Sequence, residues 1–334
     1  MSELPEDKAA KTLAALLSEA KGEAVTVRGL TALSGGAASM SYLVDAARDG
    51  EPWPLVLQQS FGEGTSRTMS RAVQAALQTR AGENGVPVPT IELVLKPQDG
   101  LGDGFVMAFV EGETLAPKYL RLPDYENARA AMVTEVAAAL AKLHAVPVSA
   151  FDGLGLPTLD GRAQLTALRD SYDAMKGAVP VFEMAFAQLE KRLKPCADPV
   201  LVHGDYRSGN FIVGEEGLRS VLDWELAHIG DPFLDIGWLS TNTWRFGNWQ
   251  KPVGGFGERE PFYEAYEAAG GRSVDREQVL AYEMLGSLRW GVMCLQMASA
   301  HLTGDAGSVE RAAIGRRVSE TEADLIHIMR EGSV

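Results

Sequence analysis

Residues 201–239, LVHGDYRSGNFIVGEEGLRSVLDWELAHIGDPFLDIGWL, constrain this chain more than any other stretch. Short apolar runs at 199–202, 211–213 and 220–222 alternate with polar loops. Runs this short suit strands that display their loop residues at one edge. The loops carry His203, Asp205 and Asn210, and Asp223 follows the third run. An Asp-x-x-x-x-Asn spacing, with a second Asp at the end of a strand, suits phosphoryl transfer. That reaction needs one carboxylate to orient an attacking hydroxyl, and an amide oxygen plus a second carboxylate to hold Mg²⁺ on nucleotide phosphates. The bland reading is a turn-rich loop whose Asp and Asn side chains only cap backbone groups. Four polar residues at this spacing around three apolar runs favour chemistry.

The order and spacing resemble the catalytic core of the protein-kinase-like superfamily. Gly204 after His203, and the continuation Gly230-Asp231-Pro232-Phe233-Leu234-Asp235, resemble the aminoglycoside phosphotransferase and choline kinase-like family within it. More closely, the stretch resembles the bacterial branch related to the kinase-like domains of some acyl-CoA dehydrogenases. The resemblance implies an α+β, two-lobed kinase-like fold. Residues 1–110 would form a small N-lobe with an antiparallel sheet, and residues 111–334 a larger, mostly helical C-lobe with catalytic loop, metal site and acceptor pocket. It also implies a phosphotransferase that uses ATP or GTP and Mg²⁺ to phosphorylate a hydroxyl on a small molecule, of hydroxyacyl-CoA or aminoglycoside type.

Residue by residue, the resemblance implies Asp205 as the group that orients and deprotonates the acceptor hydroxyl, with Asn210 and Asp223 as magnesium ligands. Hard oxygen donors of this kind suit Mg²⁺. His203 would pack beneath the loop, and Asp231 and Asp235 would accept backbone or histidine N–H bonds. Arg207 could reach a phosphate or an acidic substrate group, or simply be solvated. Ser34, Gly35 and Gly36 fall where the family has its nucleotide-covering loop; small residues let backbone N–H groups approach phosphate oxygens. Met107, Phe109 and Val110 fall in the hinge that meets the purine edge.

The chain departs from the family pattern on the third strand and the helix after it. A basic residue there contacts the phosphates and pairs with a Glu, but the corresponding positions here are Gln58 and Gln74. No lysine occurs between Lys21 and Lys96, and Arg67 and Arg71 are the nearest cations. Together the two glutamines would leave a neutral, mutually hydrogen-bonding pair. This departure keeps a second reading open, a catalytically silent nucleotide-binding protein. Only the seven residues 224–230 separate Asp223 from Asp231. No peptide-docking activation segment fits there, so a small-molecule acceptor is expected rather than a protein.

The remaining sequence sets bounds. At 334 residues and 46% hydrophobic content the chain can bury a large core. No run approaches the ~18–20 apolar residues that cross a bilayer, and the charged N-terminus lacks a signal-peptide core, so a cytoplasmic protein without a membrane partner is expected. Two cysteines, Cys196 and Cys294, are too few for a disulfide framework. A net charge of −14 gives no basic excess for nucleic acid, and is compatible with a cationic acceptor. A homodimer is left open. Hydrophobic periodicity predicts helices over 6–21, 69–80, 125–144, 162–175, 181–193, 277–300 and 308–329. Strands are expected near 25–27, 42–44, 54–59, 91–95 and 105–110. Residues 238–266 are rich in aromatics, which could form core or line an acceptor site.

Overall fold

Leu13 and Leu17, on one stripe of helix α1 (Glu6–Lys21), belong to a hydrophobic core in a computed structural model of the protein. The structure describes residues 6–33, 40–60, 69–304 and 308–332. They divide into two compact units, residues 1–112 with 219–225, and residues 113–218 with 226–334.

The first unit is built on an antiparallel sheet. Strands β1 (Val25–Leu33), β2 (Met40–Arg48), β4 (Leu55–Ser60), β6 (Asp103–Ala108) and β5 (Ile91–Val94) lie side by side in that order, and the short β3 (Glu51–Pro52) pairs with β2. Side chains alternate across a strand, so Leu55 and Leu57 of β4 join α1 in the core while Val56, Gln58 and Ser60 share the opposite face. Helix α2 (Arg71–Glu83) starts at an N-cap, where the Ser70 hydroxyl accepts from the Val73 amide. The strand expected at 105–110 ends earlier, at Ala108, which leaves Phe109 and Val110 beyond it.

The second unit is mostly helical. It contains α3 (Ala116–Tyr119), α4 (Glu126–Ala145), α5 (Gly161–Ala174) and α6 (Pro180–Arg192), then β7 (Val200–Val202) and β8 (Phe211–Val213). Strand β9 (Leu218–Val221) leads out of it, and β10 (His228–Gly230) returns to pair antiparallel with β7. Helices α7 (Phe233–Ser240), α8 (Arg259–Ala268), α9 (Arg276–Thr303), α10 (Val309–Gly315) and α11 (Val318–Glu331) complete it. Helix α9 is apolar on most sides and its first two-thirds is buried, as such a pattern requires. Tyr172, Phe182, Leu189, Val202, Leu234, Leu288 and Leu325 form the core around it.

Two elements differ from expectation. The helix expected over 308–329 is broken into α10 and α11 after Gly315. A Cβ at Gly315 would lie 2.7 Å from that of Ala298, so close packing on α9 selects glycine, a residue with weak propensity to continue a helix. The three-residue β10 carries too few residues to signal itself. No helix of the described residues is long and apolar enough to cross a membrane.

Candidate active site

Strand β7 delivers the chain into the loop His203-Gly204-Asp205, and the loop is tied down by α7, with α4 and α8 behind it. Gly204 has a φ of +79°, and a Cβ there would lie 2.3 Å from the Leu226 carbonyl oxygen, so the turn admits only glycine. The Asp235 carboxylate of α7 accepts the amides of His203 at 2.8 Å and Gly204 at 2.9 Å. His144, buried near the end of α4, contacts the same carboxylate through Nε2 at 3.2 Å, and its Nδ1 meets the Tyr266 hydroxyl of α8 at 2.9 Å. Burial alone would push Asp235 upward. The His144 bond and charge, the His203 charge and the donated His203 amide outweigh it and hold the carboxyl below its ordinary value. His144 and Asp235 therefore shape the loop from beneath. The buried His203 does the same, its Nδ1 accepting the Asp205 amide at 3.3 Å.

Asp205 is the focus of what lies above. Its Oδ1 accepts from Arg207 Nε at 2.9 Å and from Trp238 Nε1 at 2.7 Å. Its Oδ2 accepts from Asn210 Nδ2 at 2.7 Å. A carboxylate offers about four acceptor positions. With three occupied, the remaining one lies on Oδ2. The Asn210 amide nitrogen also donates to the Asp205 carbonyl at 2.9 Å. Both its bonds are thus made through nitrogen, and its Oδ1 has no donor among the described residues. Arg207 is neither solvated nor waiting on a distant phosphate: it pairs with Asp205 and lies 4.1 Å over the Trp244 ring. The Gly209 amide donates to the Tyr119 hydroxyl of α3, and burial raises that phenol to about 12.

Asp205 and Asn210 are thus brought into direct contact. Asp223 belongs to the other unit, after β9, and has a left-handed backbone with φ +68°. A non-glycine residue held there is strained, a condition that collects at functional positions. Among the described residues no three His, Cys, Asp or Glu side chains gather as a metal cage. An amide oxygen and a carboxylate still fit Mg²⁺, which keeps several waters and takes phosphate oxygens as ligands.

In the first unit, Met107 lies in β6, flanked by β4 and β5. The Phe109 amide donates to the Pro54 carbonyl at 3.2 Å. The Phe109 carbonyl and the Val110 backbone have no partner among the described residues. Of the residues expected to meet a purine edge, these two retain open backbone groups. Ser34, Gly35, Gly36 and Arg67 lie outside the described residues.

The expected Gln58–Gln74 pair is absent. Gln74 accepts Arg71 Nη1 at 2.6 Å and donates to the Met69 carbonyl at 2.9 Å. Arg71 is 3% exposed, donates from Nε to the Ser60 hydroxyl at 2.9 Å, and has no carboxylate partner for its guanidinium among the described residues. Ser60 and Gln58 share one face of β4, so the cation the strand lacks sits beside it on α2. The i, i+3 spacing of Arg71 and Gln74 was the available signal. Trp238, Tyr119 and Arg289 gave no local signal for their places around the loop.

The aromatic stretch divides. Trp238, Trp244 and Trp290 stack edge-to-face with centroids 5.2 Å apart at each step. Phe246 and Trp249, by contrast, line an open groove of about 540 Å³, and Trp249 is 61% exposed.

Comparison with known proteins agrees with this architecture. Residues 29–282 match the family model of the phosphotransferase enzyme family. Mouse acyl-CoA dehydrogenase family member 10 is 31% identical over 159 residues, which is 46% of this chain and only 15% of that much longer protein. A candidate aminoglycoside phosphotransferase of Ralstonia eutropha has the same fold with a TM-score of 0.72, at 19% identity, over 93% of this chain and 95% of its own. A spectinomycin phosphotransferase in complex with ADP and spectinomycin superposes with a TM-score of 0.67 at 14% identity, covering 97% of this chain and 99% of its own. The fold is the kinase-like α+β fold, with an antiparallel sheet in the first unit and helices in the second.

Proposed function

Since the chain belongs to the phosphotransferase enzyme family, we propose that it transfers the γ-phosphoryl group of ATP or GTP to a hydroxyl of a small metabolite. The observation that carries this reading is the Asp205 carboxylate, held by three donors with one acceptor position left on Oδ2. An acceptor hydroxyl that donates to Oδ2 is oriented, and loses its proton there as its oxygen bonds to the γ-phosphorus. The bond from that phosphorus to the β-bridging oxygen breaks, and the nucleoside diphosphate leaves with the electron pair. Arg207 and Trp238 keep the carboxylate from rotating away, and Asn210 both steadies Oδ2 and presents its own Oδ1. Asn210 Oδ1 and the Asp223 carboxylate are the proposed protein ligands of Mg²⁺, which when bound would neutralise phosphate charge. The short 224–230 segment favours a small acceptor over a peptide. Gln58 favours the alternative of a silent nucleotide binder, whereas the three donors that hold Asp205 with one acceptor position left favour the enzyme.

Asp205→Asn tests the reading. Turnover is expected to fall by roughly 10²–10⁴, the share of a positioned base, with nucleotide affinity nearly unchanged. A variant that loses nucleotide affinity yet keeps its saturated rate contradicts the assignment.

A further inference from the structure

Charge and stacking in the second unit carry the reading further, toward the acceptor. The chain is acidic overall, but two arginines lie beside Asp205. Arg207 touches the carboxylate, and Arg289 of α9 lies 4.5 Å over the face of Trp238, the residue that donates to Asp205 from its edge. Among the described residues Arg289 makes one long hydrogen bond, from Nη1 to the Gly204 carbonyl at 3.4 Å, and no ion pair. Burial pushes its guanidinium below its ordinary value, and the charge of Arg207 adds to this while those of Asp205 and Asp235 oppose it. A guanidinium has five N–H donors. One so placed, with four of them unanswered, is costly unless an anion completes the site.

The same aromatic stack links this spot to the groove. Arg207 lies on Trp244, Trp244 meets Trp290, and Arg317 lies 5.5 Å over Trp290, which is itself a groove wall. The indole N–H groups of Trp244 and Trp290, both residues more than nine-tenths buried, have no acceptor among the described residues. Phe246, another wall, sits 3.9 Å from where a Cβ of Gly209 would be, so the groove begins at the Asp205 loop itself. Arg121 bonds the Phe246 carbonyl and adds a cation to a rim that also carries Glu320, paired with Arg317, and Asp324, which accepts from Asn242.

We propose that the acceptor is an anionic hydroxy compound, its charged group held between Arg207 and Arg289 beside Asp205 and its body laid along the groove over Phe246, Trp249 and Trp290. This rests on the phosphotransfer reading and deepens it. Of the two carboxylates near these guanidinium groups, Asp235 is already answered by His144 and the amides of His203 and Gly204, so the two arginines beside Asp205 offer an anion a better site than an aminosugar. The rings offer flat surfaces to the rest of the molecule, and Arg289 is a positioning residue for it.

The test measures nucleoside diphosphate release with two acceptor sets at matched concentration. One holds anionic hydroxy compounds, the hydroxy acids 3-hydroxybutyrate and glycerate together with hydroxyacyl-CoA thioesters; the other holds kanamycin and spectinomycin. Turnover is expected with the anionic set. Arg289→Gln should then raise the acceptor KM roughly 10–100-fold, the worth of a charged hydrogen bond, with kcat and the nucleotide KM within about twofold, and Arg289→Lys should recover part of the loss. In the wild-type protein sulfate should compete with the acceptor and not with the nucleotide, a measurement that needs no variant to fold. Turnover with the cationic set alone, an unchanged acceptor KM in Arg289→Gln, or a rise in the nucleotide KM instead would overturn the inference while leaving phosphotransfer intact. No acceptor-dependent turnover with either set would remove both.

Discussion

At the scale of single residues, the decisive substitution is the loss of the strand cation at Gln58. A charged Lys–Glu pair is replaced by a buried guanidinium, Arg71, whose side-chain partners are the uncharged Ser60 and Gln74. An uncompensated buried charge is costly, and phosphate oxygens in the same unit would relieve that cost. Arg71→Gln is therefore expected to lower kcat/KM for the nucleotide by about 10²–10³, comparable to deleting one preorganised electrostatic contact. Gln58→Lys should then add little, because a second cation would repel the first. Steady-state kinetics on both variants check this. A rise in rate in Gln58→Lys with Gln74→Glu, and no effect in Arg71→Gln, would instead mean that the site still lacks its cation.

At the scale of elements, the loop is held by α7 and α4 through one carboxylate. Asp235 binds the amides of His203 and Gly204 and meets His144, so two helices and the loop share one polar knot with no exposed member. The folded carboxyl titrates below its ordinary value, whereas in the unfolded chain an aspartate titrates near ~3.9. On acidification the unfolded chain takes up the proton first. The stabilisation is complete above ~3.9 and is lost as pH falls through the folded value. Asp235→Asn should cost about 2–4 kcal/mol at neutral pH, as a buried charged acceptor is lost, and should flatten the acid limb of Tm against pH. An unchanged acid limb in the variant would show that the knot contributes nothing to acid stability.

At the scale of the whole molecule, two cores with no common residue underlie the two units. Leu13, Leu55, Leu57 and Val106 belong to one, and Phe182, Leu234, Leu288 and Leu325 to the other. Stability need not be uniform across such a chain. Leu57→Ala is expected to cost about 2–5 kcal/mol and to lower hydrogen-exchange protection in β2, β4 and β6. Amides of α9 should keep theirs. Equal loss of protection in both units would mean that they open as one.

What the sequence determined by itself was local in origin. His203, Gly204, Asp205 and Asn210 lie within eight consecutive positions, and neighbours along the chain are held to one turn by covalent geometry, so their spacing alone carried the loop and its chemistry. Helices such as α1 and α4 were readable for the same reason, since an apolar stripe repeats every few residues. Tertiary structure decided whatever depends on residues distant in the chain. Asp235 meets His144 across 91 positions, Trp238 reaches Asp205 across 33, and Arg289 comes to Gly204 across 85. Local sequence does not distinguish Arg169 from Arg289, both of which lie on helices of the second unit. Packing of α9 against α7 set Arg289 on Trp238, beside the reacting carboxylate, while Arg169 was drawn into surface pairs with Asp173 and Glu183. Sequence specifies which charges exist, but the burial that gives each its partner, or leaves it waiting for one, arises only when distant elements pack.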